Sequence, residues 1–286
     1  MLPALGVLFD GVAYGMLLFL MSVGLSVTLG MMNCVNLAHC SFAMLGGYVT
    51  VTLMNAAGWP FLATLPAAFV AGAAASILLE RIFFRRFYNS NELNQCLLTI
   101  GIVFVSIAAA AYIYGTDQMP MQLPTYLQGS FTVAGIDLAV YRLFLIVVAA
   151  LITAVLMVTL ESTRFGAQVR AAVNNQRMAR GLGINVDRLF AITFALGSGL
   201  AGLGGALAIE LVGLDPSFAF TYLIYVLIVV SVGGLGSITG SFAAAILLGV
   251  SDVAGKYYVP AIGAFLIYLV MIVLLMWRPT GIFGRR

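Results

Sequence analysis

Long apolar runs alternate along this chain with short polar stretches. Each run is about the 20 residues a helix needs to cross a hydrocarbon core. They fall near residues 11–32, 36–56, 60–80, 95–115, 141–160, 189–209 and 219–238. The remaining run, 241–277, accommodates two shorter crossings divided around Gly255–Pro260. The pattern predicts an all-α polytopic transmembrane bundle of eight or nine spans, with residues 1–286 forming a single membrane domain. Gly46–Gly47 and Gly233–Gly234–Gly236 lie inside apolar runs and predict interrupted or re-entrant segments. Broken backbone survives at membrane depth only where protein or a watery cavity covers it.

Composition agrees with the pattern. Hydrophobic residues make up 63% of the chain and charged residues 8%, against about 25% charge in a soluble domain. The net charge of +3 comes from scattered residues, so nucleic acid is not an expected partner. Three cysteines, Cys34, Cys40 and Cys96, sit in or beside apolar stretches without framework spacing and read as packing residues. One histidine is too few for a metal site beside Cys34 and Cys40. The N-terminus lacks a basic n-region and a small-residue cleavage site, so Met1 is expected to begin the mature protein.

Charge placement orients the bundle. Eleven of the 13 basic residues fall in three regions, at 81–86, 164–188 and 278–286. The opposite loops are expected to hold Arg142 and Lys256 with Asp117, Asp137, Asp215 and Asp252. The positive-inside rule puts the three basic regions in the cytoplasm. Nine crossings with the N-terminus outside and the C-terminus cytoplasmic satisfy every assignment. Residues 116–140, with Pro120, Pro124, Gly129 and Gly135, form an external loop. Residues 161–188 form the longest cytoplasmic segment. Its Ala167, Arg170, Ala171, Asn174, Asn175 and Met178 suit two or three helical turns ended by Gly181 and Gly183. Such a helix is either an interfacial amphipathic element or a docking site, for which the small Ala171, Ala172 and Ala179 leave room.

Two polar stretches interrupt the apolar pattern. Asn33, Asn36 and His39 recur at spacings of three, which places them on one helix face. Intramembrane polar groups face a bundle interior, a partner or a pathway; the alternative is a turn whose side chains cap helices. The second stretch, Ser231 to Gly240, carries Gly233, Gly234, Gly236 and Ser237. Its glycines allow close helix approach or an unwound binding segment, but it lacks the Lys-Ser/Thr of a phosphate loop. Gly197, Ala201 and Gly205 have the spacing of a helix-packing stripe, and Tyr222 and Tyr225 that of an interfacial aromatic belt. No Gly-x-Ser-x-Gly, His-Glu-x-x-His or paired intramembrane carboxylates occur, which disfavours an enzyme. Because the carboxylates are assigned to loops and span ends, ion coupling by a membrane-buried acid is not expected either.

The sequence resembles the permease subunits of high-affinity branched-chain amino-acid ABC importers, specifically the shorter of the two permeases. The resemblance rests on Gly24-Leu-Ser with Val35-Asn-Leu-Ala-His39, Thr163-Arg-Phe-Gly-Ala-Gln-Val-Arg-Ala-Ala172 and Ala179-Arg-Gly-Leu-Gly-Ile-Asn185. It continues in Val232-Gly-Gly-Leu-Gly-Ser-Ile-Thr-Gly240 and Arg278-Pro-Thr-Gly-Ile-Phe-Gly284. It implies an ATP-driven importer in the bacterial inner membrane, with this chain bound to lipid and to a second homologous permease. Two cytoplasmic ATPases would carry ATP-Mg, a periplasmic solute-binding protein would deliver cargo, and this chain would bind no cofactor itself. By the same resemblance Asn33, Asn36, His39, Ser41, Gly233, Gly234, Gly236 and Ser237 are candidates for the translocation pathway. Arg164, Gly166, Arg170, Ala171, Ala172, Met178 and Gly183 are candidates for ATPase coupling. The chain departs from the family at Cys40 and Ser41, where Gly and an acid are usual, at Thr239, where Pro is usual, and at Tyr222, near which Lys is common. The expected cargo is therefore a branched-chain amino acid or a related small carboxylate or amide. The alternative is a self-contained channel or secondary transporter for a small neutral solute such as urea.

Overall fold

The computed structural model describes residues 2–32, 36–87, 90–133 and 136–284. Its helices are α1 (Leu2–Met32), α2 (His39–Ala57), α3 (Phe61–Leu79), α4 (Arg85–Phe87), α5 (Glu92–Tyr114), α6 (Val140–Ser162), α7 (Arg164–Asn174), α8 (Gln176–Gly181), α9 (Val186–Val212), α10 (Phe218–Gly233), α11 (Ile238–Tyr258) and α12 (Gly263–Trp277). Among the described residues seven helices are long and apolar enough to cross a membrane, and α10 and α12 are shorter apolar helices. The chain is a multi-pass membrane protein. We call the end of the bundle that carries Arg164 to Arg188 the basic end.

The observed helices follow the apolar runs, with three instructive differences. First, α1 begins at Leu2 rather than near residue 11, because Asp10 does not stop it: its carboxylate pairs with Arg142 of α6. Second, α2 runs unbroken through Gly46 and Gly47, while the glycines after Val232 form the turn between α10 and α11. Third, the 116–140 segment is not wholly irregular. It contains an antiparallel hairpin of β1 (Ser130–Val133) and β2 (Ile136–Ala139), and Met119 N–H bonds the Leu214 carbonyl at 2.8 Å. Gly135, expected in this segment, lies outside the described residues.

Helix α1 is apolar on every side and sits at the centre of the fold, with Leu17, Leu18, Phe19, Leu20, Met21 and Leu25 fully buried. Helices α5 and α6 lie at the periphery and expose Leu97, Phe104, Val105, Leu151 and Val155, as lipid-facing helices do. Ser26 of α1 and Ser241 of α11 are both completely buried and hydrogen-bond to each other at 2.9 Å.

Backbone-to-backbone approach sets the geometry of this core. A Cβ on Gly249 of α11 would lie 2.5 Å from Gly15 Cα of α1, and one on Gly197 of α9 would lie 2.7 Å from Gly24 Cα. One on Gly72 of α3 would lie 2.6 Å from the Ser198 carbonyl oxygen, and one on Gly46 of α2 would overlap the Gly202 backbone. Carbon contacts are optimal at about 3.5–4.0 Å, so none of these sites admits even a methyl group. The stripe read from Gly197, Ala201 and Gly205 is thus a packing surface: Gly197 meets Gly24, Ala201 is fully buried and Gly205 meets Ala43. Gly101 of α5, by contrast, has nothing within 4 Å of its would-be Cβ. Gly46→Leu is expected to destabilise the folded protein by about 3 kcal/mol or more through overpacking, whereas Gly101→Leu should be near neutral. Thermal unfolding of the two variants in detergent checks the contrast; equal stability would contradict it.

Candidate functional site

The polar residues at the start of α2 lie deep in the bundle. His39 is its first residue and is 1% exposed. Its Nε2 donates to the Met21 carbonyl of α1 at 3.0 Å, which leaves Nδ1 as an acceptor, buried and without a partner. The Asn36 side-chain oxygen accepts from Ala38 N–H at 3.0 Å, and its Nδ2 is buried without a partner. Ser41 accepts from Ser106 of α5 at 2.8 Å. Ser106 is 14 residues from the start of α5 and 8 from its end, about 21 and 12 Å at 1.5 Å per residue. The N-terminus of α2, with its partial positive charge, is therefore buried well inside the bundle. The interruption falls here rather than at Gly46–Gly47, where it was expected, and Asn36 lies in the turn before α2 rather than on a helix face shared with His39. Asn33 lies outside the described residues.

The glycine segment after α10 has a different surrounding. Gly233 packs against the start of α11, where its would-be Cβ lies 2.5 Å from Ser241 N. Gly234 and Gly236 take left-handed φ of +97° and +78°, a region glycine occupies without penalty. Ser237 caps α11 by accepting from Gly240 N–H at 3.0 Å. Residues after α12 fold back onto this turn: Ile282 N–H donates to the Val232 carbonyl at 2.7 Å and Phe283 N–H to that of Gly233 at 3.2 Å. Two motifs read separately along the sequence thus form one substructure. It abuts Gly30 of α1, which is 3.1 Å from the would-be Cβ of Gly236. Gly30 lies nine residues beyond Met21, about 13 Å along the helix. The two sets of pathway candidates do not converge on a single cavity.

Sequence reasoning missed a third polar cluster. Asp252 and Lys256, assigned to a loop, lie on α11, and Asp252 is 1% exposed. Lys256 Nζ donates to Asp252 Oδ2 at 2.6 Å, while Oδ1 is buried without a partner. The Lys256 ammonium stands 5.8 Å from the Tyr14 ring centroid, within cation–π range. Tyr222 and Tyr225, read as an aromatic belt, are half-buried and lie tilted against each other at 5.7 Å between ring centroids, and Tyr225 reaches Tyr268 of α12 at 6.2 Å. A membrane-buried acid therefore exists, contrary to expectation. The signal available was the Asp252/Lys256 spacing of four, which puts both on one helix face.

At the basic end the 163–185 segment is folded as two helices, not one. Thr163, Asn175 and Asn185 each accept the N–H three residues on, capping α7, α8 and α9 at 3.1, 3.0 and 3.0 Å. Asn175 breaks the expected single helix with an extended φ of −159°. Gly166 and Ala172 face inward, Gly166 against the Leu160 backbone. Arg164, Arg170, Met178 and Gly183 are exposed, and Ala171 is half-buried. A groove of about 360 Å³ opens beside them, lined by Phe165, Gln168, Leu182, Gly183, Ile184 and Arg188 among others. The opposite end holds a cavity of about 670 Å³ between the α2–α3 turn, residues 121–128 and Glu210.

The family model for the branched-chain amino acid transport system permease component matches residues 7–275. The chain belongs to this family. Among its relatives, the high-affinity branched-chain amino acid transport system permease protein BraD of Pseudomonas aeruginosa is 28% identical, over 97% of this chain and 95% of BraD. The corresponding LivH of Escherichia coli K12 is 27% identical over 97% and 94%, and LivM of the same organism 26% identical over 93% of this chain and 68% of LivM. These relatives are transport permeases, not enzymes. PsaBC from Streptococcus pneumoniae, solved in complex with Fab, has the same fold with a TM-score of 0.52, at 12% identity over 94% of this chain and 89% of that one. For this family member, His39→Ala removes one interhelical hydrogen bond, about 0.5–1.5 kcal/mol, too little to prevent insertion. Protein level in the membrane should hold while solute uptake changes; unaltered uptake would leave His39 a purely structural residue.

Proposed function

We propose that this chain is the membrane-spanning permease subunit of an ATP-driven importer for branched-chain amino acids or related small carboxylates and amides. It pairs with a second, homologous permease in the bacterial inner membrane. Two ATPases hydrolyse ATP-Mg on the cytoplasmic side, and a solute-binding protein delivers cargo from the periplasm. The existence of both LivH-type and LivM-type relatives supports a two-permease core.

The observation that carries this reading is the groove beside α7 and α8. It combines a largely apolar lining of Phe165, Leu182, Ile184, Leu189 and Ile192 with Arg188 at its edge, next to the exposed Met178 of α8. That is the shape a rigid helix needs in order to seat in a soluble partner. Gly183, at φ +81°, turns the chain there so that α9 can start at Val186 behind its Asn185 cap. The Arg180–Asp187 pair at 2.7 Å is exposed on both sides and contributes little to stability. With the basic end cytoplasmic, the N-terminus is outside, the C-terminus inside, and the 670 Å³ cavity faces the binding protein. Asn36, His39 and Ser41 then stand between the two mouths as pathway residues, with the Gly233–Ser237 turn as a mobile joint near the inner one.

Gly183→Val and Ala171→Trp are expected to leave insertion and subunit assembly intact. Uptake by the reconstituted importer should fall about tenfold or more while ATP hydrolysis continues. Normal coupled uptake in both variants would sink the docking assignment. The buried Asp252 favours a second reading, a self-contained secondary transporter or channel. Uptake by this chain alone, driven by an ion gradient, would establish that reading in place of the first.

A further inference from the structure

The least explained group in the fold is Asp252. A carboxylate buried in a membrane bundle is costly and marks a functional site unless it is fully paired. Here one oxygen is paired and the other is not. Its only ion-pair partner among the described residues, Lys256, is itself half-exposed, with a side chain 53% accessible against 2% for Asp252. The ammonium thus reaches inward from the rim on four flexible carbons, from the last turn of α11, where the helix dipole favours a cation. Tyr14 of α1 faces the Lys256 ammonium, and Tyr222 and Tyr225 of α10 lead through tilted ring contacts to Tyr268 of α12. Asp252 is close enough to act electrostatically on the hydroxyls of the first three. Asp252 lies six residues from the end of α11, about 9 Å, at the end opposite the basic one.

We propose that this cluster is a binding station for a zwitterionic amino acid. The substrate's α-ammonium takes the place of the Lys256 ammonium at Asp252, with Oδ1 and the tyrosine faces completing its surroundings. The displaced Lys256 Nζ receives the substrate's carboxylate. The exchange is charge-neutral: a zwitterion enters a neutral ion pair, and no step leaves an unpaired charge in low dielectric, which is the expensive state. Aromatic faces add to ammonium binding where water is excluded, and the half-buried Tyr222, Tyr225 and Tyr268 leave an apolar wall for the substrate side chain. A carboxylate lacking the ammonium would leave Asp252 uncompensated, so the station selects amino acids over simple acids.

The inference rests on the importer reading, and the test separates the two. Leucine uptake is measured in cells expressing this chain with its partner permease, ATPases and binding protein, for wild type, Asp252→Asn, Lys256→Met and the double variant Asp252→Asn/Lys256→Gln. Assembly is read from co-purification of the subunits. All three variants are expected to lose about tenfold or more of leucine uptake in assembled complexes. A merely structural ion pair behaves differently: removing both charges together relieves the defect of removing one. Uptake by the double variant within about twofold of wild type would overturn the proposal, as would normal uptake by Asp252→Asn. Where Asp252→Asn alone fails to assemble, the double variant, which strands no charge, decides. Absence of uptake of leucine, isoleucine and valine by the wild-type complex would instead refute the branched-chain amino-acid cargo of the importer reading, on which the station depends.

Discussion

Direct contact of backbone with backbone along α1 is the constraint from which the rest of the structure follows. In lipid no hydrophobic force draws helices together, and van der Waals packing must do so. Gly15, Gly24, Gly46, Gly72, Gly197, Gly202 and Gly249 let helices approach until main chain meets main chain. Because not even a methyl group fits at these crossings, the separations of α1, α2, α9 and α11 there are set by backbone contact. Every polar group considered for function inherits its depth from that arrangement. His39 meets the Met21 carbonyl, and Ser26 meets Ser241, because the glycine crossings hold those helices in register.

The same rigidity divides polar chemistry between two levels. Near mid-height the buried start of α2 presents a helix N-terminus with the unpartnered Asn36 Nδ2 and His39 Nδ1. Towards the end opposite the basic one, Asp252 and Lys256 sit among tyrosines of α1, α10 and α12. One level offers the Asn36 amide donor, the His39 Nδ1 acceptor and a helix's partial positive charge; the other offers a full carboxylate–ammonium pair. Both are assembled from helices far apart in sequence, so neither is visible as a local motif.

That explains which features were legible in the chain. Hydropathy gave the spans because each is a local run of apolar residues, and the caps at Thr163, Asn175 and Asn185 are local as well. The Gly197/Ala201/Gly205 stripe announced a packing face by spacing alone. Asp252 was misplaced because the apolar run around it is short and contains Gly255, Lys256 and Pro260, which read as a loop. Burial came from α1 and α10 closing over it, a tertiary fact. The return of residues 281–284 onto Gly233 and Gly234 was hidden for a similar reason. Two glycine-rich motifs give no hint in sequence that the φ of +97° at Gly234 and +83° at Gly281 serve one joint.

The central position of α1 has a bearing on how the protein is made. Helix α1, the most buried of the spans, is synthesised well before the neighbours α9, α10 and α11 that cover it. Ser26 acquires its partner Ser241 only 215 residues later, a wait of roughly 10–40 s at ordinary elongation rates of about 5–20 residues per second. During that interval Ser22 and Thr28 can satisfy their hydroxyls on carbonyls of their own helix, as they still do in the finished fold. The open glycine faces of α1 have no such local refuge. Nascent α1 is thus a helix whose correct neighbours do not yet exist, and shielding it from premature association is a task set by the fold itself.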